Sequence, residues 1–347
     1  MSIKRLAITL IGLTIFWMCS LPVFSAGPAT MQPVFSDWKL YEDDAHSFTM
    51  AYAKSDVKSE VQQMKKFKTF LDKQGVKLLY VNAPVKYLND DAFEATFGVP
   101  TYVNQNADLF LQRIGKIGIS SIDLRKCMVA EGLAPETLFY RTEHHWNNQA
   151  ALFAARNVAA TLNSAYGYQI DLNLYNPANF KATDFKACWL GEYGKKTAVM
   201  PPLDDYTLLL PNYPTAYSFP MNETTVDGTF EDFIDRSYLT SCGNVYQDRS
   251  CHYAYRLRSC INKNVSAGRV LLLCDSFSQN FEPFLSLGVH SIDWLIIRDA
   301  VNTPGFSLQN IIKTGNYDTV IICYSAAIIG AKDDPAQAAN ATMFQFL

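Results

Sequence analysis

The sequence predicts an α/β fold, with helices covering both faces of a central parallel sheet. Two observations carry this. Runs such as Arg269–Cys274 and Thr319–Cys323 are apolar without alternation, the pattern of strands buried on both sides. Between such runs, apolar residues recur three and four apart, the spacing of helices with one buried face.

The elements follow in order. Val57, Val61, Met64, Phe67, Phe70 and Leu71 mark a helix over Lys54 to Gln74, and Gly75 ends it. Lys77–Asn82 reads as a buried strand, Ala107–Ile117 as a helix and Ser121–Leu124 as a short strand. Ala150, Ala154, Val158 and Leu162 share one face of a further helix, with Asn147 as its N-cap. After the Arg269–Cys274 strand a helix begins near Gln279. Ser291–Ile297 is then a strand, Leu308–Lys313 a short helix and Thr319–Cys323 the last buried strand. From about 186 to 265 the rhythm breaks: this stretch is rich in Tyr, Pro, Asn, Asp and Cys, and it reads as an insertion. Within it, Tyr206–Tyr213 has the pattern of a strand and turn. The chain thus reads as a leader over 1–26 and one domain over 27–347.

Composition narrows the class. The chain has 347 residues, 49% apolar and 18% charged, which is globular. Its formal charge of −3, without any basic stripe, offers no nucleic-acid surface. Lys4 and Arg5 precede an apolar run from Leu6 to Phe24, which ends at Ser25, Ala26 and Gly27. That is an export signal, either cleaved or kept as a membrane anchor, and it puts the working part outside the cytoplasm. There, Cys188, Cys242, Cys251 and Cys260 are expected to form disulfides, with the pairing open. The absence of a CxxC pair disfavours zinc. Cys274 and Cys323 end apolar runs and read as buried thiols.

The chemistry concentrates in TEHHWNNQA, Thr142 to Ala150, which holds two of the five histidines. In extended backbone Glu143 and His145 point the same way, so a carboxylate could orient its neighbour's imidazole and leave the other ring nitrogen for a serine proton. The same triplet fits a helix-entry turn whose histidines pack or cap. Ser276 lies past a buried strand and before a helix, where ligands of parallel sheets gather and backbone N–H groups can receive an oxyanion. An ordinary helix cap also explains it, and Asp275 reads as a turn or cap residue. A metal site of Glu143, His144 and His145 is disfavoured, because adjacent residues converge poorly on one ion.

TEHHWN before an alanine-rich helix, with VLLLCDSF far downstream, resembles the DHHW proteins and the alginate O-acetyltransferase group. Val81-Asn-Ala-Pro84-Val-Lys86 is similar to that family's P-x-K segment. Trp294–Arg298 is similar to its strand ending in arginine, and Tyr317–Ser325 to its final strand. The resemblance spans roughly Phe48 to Ser325. It implies an SGNH-hydrolase-like α/β/α fold of three layers, with the circularly permuted motif order in which the histidine precedes the serine. It also implies a triad of Ser276 as nucleophile, His145 as base and Glu143 as acid. This sequence departs at Glu143, where the family usually has Asp, and at Cys274, which replaces the glycine of a GDS block.

Lys86 and Arg298 are candidates to hold substrate or developing negative charge, or else to form surface ion pairs. Asn82 is a candidate oxyanion donor or a turn residue. Trp146 is expected to pack, and Tyr206, Tyr213, Tyr217 and Phe219 are candidates to line a carbohydrate groove. The resemblance implies acyl transfer, with acetyl as the group, to an exported or cell-surface polysaccharide through an acyl-serine. The donor would come from a membrane-bound acyltransferase, and no cofactor or metal is expected. The rivals are an esterase on the same triad and a catalytically silent glycan-binding protein.

Overall fold

A computed structural model describes Thr30, Met31 and residues 39–347, apart from 198, 222, 237, 238, 240–254, 256 and 257. The leader over 1–26, Cys242 and Cys251 lie outside the described residues.

Short strands β1 (Thr30–Met31), β2 (Leu40–Glu42) and β3 (Phe48–Met50) form a small antiparallel sheet. Helix α1 (Lys58–Gln74) and strand β4 (Lys77–Ala83) follow, then α2 (Asp90–Phe97), α3 (Val103–Lys116), β5 (Ser120–Asp123), α4 (Leu124–Ala130) and α5 (Asn148–Tyr166). The middle of the chain gives β6 (Phe180–Trp189), the single turn α6 (Glu192–Lys195), β7 (Asp204–Pro211), β8 (Tyr217–Met221), β9 (Thr224–Gly228) and β10 (Cys260–Asn262). The last part gives β11 (Arg269–Cys274), α7 (Ser278–Leu285), β12 (Ser291–Leu295), α8 (Ile297–Ala300), α9 (Leu308–Gly315) and β13 (Thr319–Ser325).

The central sheet runs β5-β4-β13-β11-β12-β10-β8-β9. Its first five strands are parallel, as the apolar runs require. Alternate residues of one strand feed two separate cores. Leu79 and Val81 of β4, with Val270 and Leu272 of β11, pack against α4, α5 and α7. Leu78 and Tyr80, with Leu271 and Leu273, pack against α1, α3, α9 and the chain's end at Phe344 and Phe346. Both faces need apolar cover, and three layers result.

The sheet extends beyond the central parallel strands that the sequence predicts. Strands β10, β8 and β9, from the stretch that breaks the βα rhythm, join β12 antiparallel and make the sheet mixed. Hairpin connections permit this where no helix crosses over. The first helix also starts later than its periodicity suggests. Val57 sits at φ 47°, in the left-handed region, and Ser55 is tied to Asn106 and Asp333 instead. Asn147 caps α5 through a bond from the Ala150 N–H. Cys188 is in a disulfide. Cys260 is a free thiol buried in β10, as are Cys274 and Cys323 in the parallel strands, so Cys260 leaves the set expected to pair. Among the described residues, no helix is long and apolar enough to cross a membrane.

Candidate active site

The parallel strands β4, β11 and β13 end on the same edge, and the chemistry collects there. Past β11 the chain turns sharply through Asp275, Ser276 and Phe277 into α7. Asp275 is buried and clamps this turn: one carboxylate oxygen accepts the Phe277 N–H at 3.0 Å, the other the Ser325 N–H of β13 at 2.7 Å. Burial raises its carboxyl above the usual range, against the pull of these donors. Asp275 is thus the turn residue the sequence suggests. The N–H groups at the start of α7 are consumed locally. Phe277 donates to Asp275, Ser278 to the Asp275 carbonyl and Gln279 to the Ser276 carbonyl. These three of the expected helix-start donors are therefore spent on building the turn.

Ser276 Oγ lies 2.7 Å from His145 Nε2. His145 Nδ1 lies 3.2 Å from Glu143 Oε1. The sequence brings these groups from 131 positions apart. Trp146 fastens the two segments together. Its indole N–H, fully buried, reaches the Phe277 carbonyl and Asn280 Oδ1, each at 2.9 Å. Asn280 in turn donates to the Trp146 carbonyl and to Asn148. Packing is thus only half of what Trp146 does; it sets the height of the histidine over the serine.

Electrostatics sort the roles. Burial opposes charge on Glu143, yet the imidazoles of His144 and His145 hold its carboxyl well below the usual carboxylate range. Burial, and then the neighbouring His144, lower the His145 imidazole to about 4, against the attraction of Glu143. His145 is therefore neutral at pH 7. With Nδ1 on the carboxylate, its Nε2 lone pair faces the serine hydroxyl.

His144 is not turned outward, as the i, i+2 reading of an extended segment implies. The backbone bends through 141–145. As a result the His144 Nδ1 lies 2.5 Å from Glu143 Oε1, and the His144 N–H donates to the same oxygen at 2.7 Å. Adjacent residues do converge: the ligand-type atoms of Glu143, His144 and His145 lie within 4.8 Å of one another, close enough for an ion. Their mutual contacts account for the grouping without one.

Residues distant in sequence brace this cluster. Asp204 accepts the Thr142 N–H and hydroxyl and the Arg141 N–H, all within 2.8 Å. Glu192 N–H donates to Glu143 Oε2 at 2.7 Å, and Gly191 N–H to the Thr142 hydroxyl at 2.8 Å. A Cβ on Gly191 would stand 2.3 Å from that of Glu143. The run Leu190-Gly-Glu-Tyr-Gly194, two glycines around one helical turn, is the trace of this close approach in the sequence.

A cavity of about 230 Å³ opens over Ser276, walled by His144, Tyr52, Tyr193, Arg298 and Asn340 among others. Arg298 bonds Asp299 and Asn340 there, so it serves both as an ion-pair partner and as a wall of the cavity. Lys86 is buried and donates to the Phe48 and Arg141 carbonyls. It holds β3 to the histidine segment and is no surface pair; burial lowers its ammonium to about 8. Asn82 needs correction as an oxyanion donor. It is fully buried inside β4, and its amide donates to Asp123, away from the cavity. The carbohydrate groove also fails as expected. Tyr206, Tyr217 and Phe219 are core residues, and the half-buried Tyr213 donates to the Leu174 carbonyl.

Comparison with known proteins agrees with this fold. Residues 35–183, under half of the chain, match the family model of the SGNH hydrolase-like domain of acetyltransferase AlgX. No curated protein matches the sequence. Among solved structures, PatB1 from Bacillus cereus is similar at 16% identity and a TM-score of 0.66, covering 92% of this chain and 100% of that one. The same protein with a sulfonyl adduct gives 17% and 0.65, with coverages of 91% and 98%. A DHHW family protein from Eubacterium siraeum gives 14% and 0.62, again with 91% and 98%. At such identities the likeness speaks for the fold. The chain therefore shares the fold of these structures, and over residues 35–183 it is similar to the SGNH hydrolase-like domain of acetyltransferase AlgX.

Proposed function

We propose that this chain is an extracytoplasmic O-acyltransferase that moves an acetyl group to an exported or cell-surface polysaccharide. The observation that carries the reading is the 2.7 Å contact between His145 Nε2 and Ser276 Oγ, with Glu143 behind the imidazole. The AlgX acetyltransferase match supports acetyl as the group, and the export signal at the N-terminus supports the location.

In the first half-reaction Ser276 Oγ attacks the donor's ester carbonyl and passes its proton to His145 Nε2. The imidazolium, supported by Glu143, returns that proton to the departing alkoxide as the donor C–O bond breaks. An acyl-serine remains. In the second half a sugar hydroxyl gives its proton to the same nitrogen and attacks the acyl carbon, and Ser276 leaves with the proton. Arg298 on the cavity wall would hold the acceptor, and a membrane-bound acyltransferase would supply the donor.

Transfer and hydrolysis share the first half and differ in the acceptor. Incubation with p-nitrophenyl acetate, with and without a panel of oligosaccharides, separates them. Acetylated sugar, formed at the expense of free acetate, is the expected result. Free acetate at equal rates under both conditions would leave an esterase instead.

A further inference from the structure

One buried carboxylate oxygen serves two imidazoles. Glu143 Oε1 is 2.5 Å from His144 Nδ1 and 3.2 Å from His145 Nδ1. The two rings lie against each other with centroids 3.8 Å apart. Of the two, only His144 is substantially open to the cavity, with 29% of its side chain exposed against 6% for His145. His144 also leans on Tyr193, at 5.1 Å between ring centroids, which fixes its plane. The proposed chemistry leaves this second imidazole unused.

We propose that His144 is a positioning residue: it shares the Glu143 carboxylate with His145, weakens that carboxylate's hold on a proton at His145, and so keeps His145 in its base form. The inference rests on the serine-acyltransferase reading of the site. Its physical ground is proximity. An imidazole stacked against His145 and held on the same carboxylate oxygen takes up part of the negative charge that would otherwise favour an imidazolium at His145. The same neighbour contributes to the low proton affinity of His145, after burial.

Other charges face the pair as well. Glu192 and Lys196 approach from α6 and its end, Asp275 from the serine turn, and Lys86 from beyond β4. The phenols of Tyr52 and Tyr193 and the guanidinium of Arg298 complete the cavity wall. His144 itself lies at ion-pair distance from the Glu143 oxygen that faces His145.

The test is the pH dependence of serine sulfonylation by an arylsulfonyl fluoride, measured on the full chain as wild type, His144→Gln and His144→Phe. The reaction needs neutral His145, so its acid limb marks protonation of that ring. Either substitution removes the competing imidazole, and the acid limb is expected to move to higher pH by about one unit. His144→Phe keeps the aromatic contact with Tyr193 and guards against a folding defect in the glutamine variant. A purely structural role would lower the rate equally at every pH. An acid limb that stays in place in both variants, or moves to lower pH, would overturn the proposal. Failure of the wild type to be labelled at any pH would instead overturn the serine-enzyme reading beneath it.

Discussion

His145→Ala is expected to lower acetyl transfer by about four orders of magnitude or more while leaving the chain folded. The serine hydroxyl is a poor nucleophile until a base takes its proton, and His145 Nε2 is the base at 2.7 Å. His145→Gln should fare no better, since an amide nitrogen's lone pair is delocalised into the carbonyl and cannot accept that proton. Steady-state rates with p-nitrophenyl acetate and the preferred oligosaccharide, beside thermal melts of each variant, decide the matter. A loss of less than tenfold with an unchanged melting temperature would mean that the contact is structural.

The second large effect comes from a residue with no functional group. Gly191→Ala is expected to cost roughly two orders of magnitude in turnover and about 1–3 kcal/mol in stability. The backbone at Gly191 has φ −77°, which alanine tolerates. The obstacle is space: the added methyl would meet Glu143 Cβ at 2.3 Å, the Thr142 carbonyl oxygen at 2.6 Å and Glu143 Cα at 2.7 Å. Two of these are backbone atoms, so the Glu143 segment itself must shift, and its carboxylate leaves His145. Urea titration and turnover of the same preparation check both parts. A variant that is destabilised yet fully active would show that Glu143 does not orient His145.

Much of the scaffold was legible because it is local. Continuous apolar runs named the strands that carry the site, and a three-and-four spacing named the helices over them. Asn147 announced the start of α5 through its own side chain. Strands β2 and β3 were not legible, since three residues are too few to show a period. The antiparallel end of the sheet was equally hidden, because β8, β9 and β10 are short and lie where composition, not periodicity, dominates.

The candidate site divides the same way. Spacing and motif resemblance singled out Glu143, His145 and Ser276, and these three lie together. Their support did not show, because Asp204 and Glu192 act from 62 and 49 positions away and only folding brings them in. Asn82 and the aromatic insertion misled for one shared reason. Polar and aromatic side chains read as surface chemistry, whereas here they satisfy buried neighbours and fill the core. His144 misled because a bend, unlike a strand, can turn two successive side chains toward one atom.

The central claim is a covalent acyl-serine, and intact mass spectrometry after exposure to an activated acetyl ester tests it most directly. The account predicts one added acetyl group on the wild type, mapped to Ser276 by peptide analysis and absent from Ser276→Ala. An unmodified wild type, or equal modification of Ser276→Ala, would contradict it.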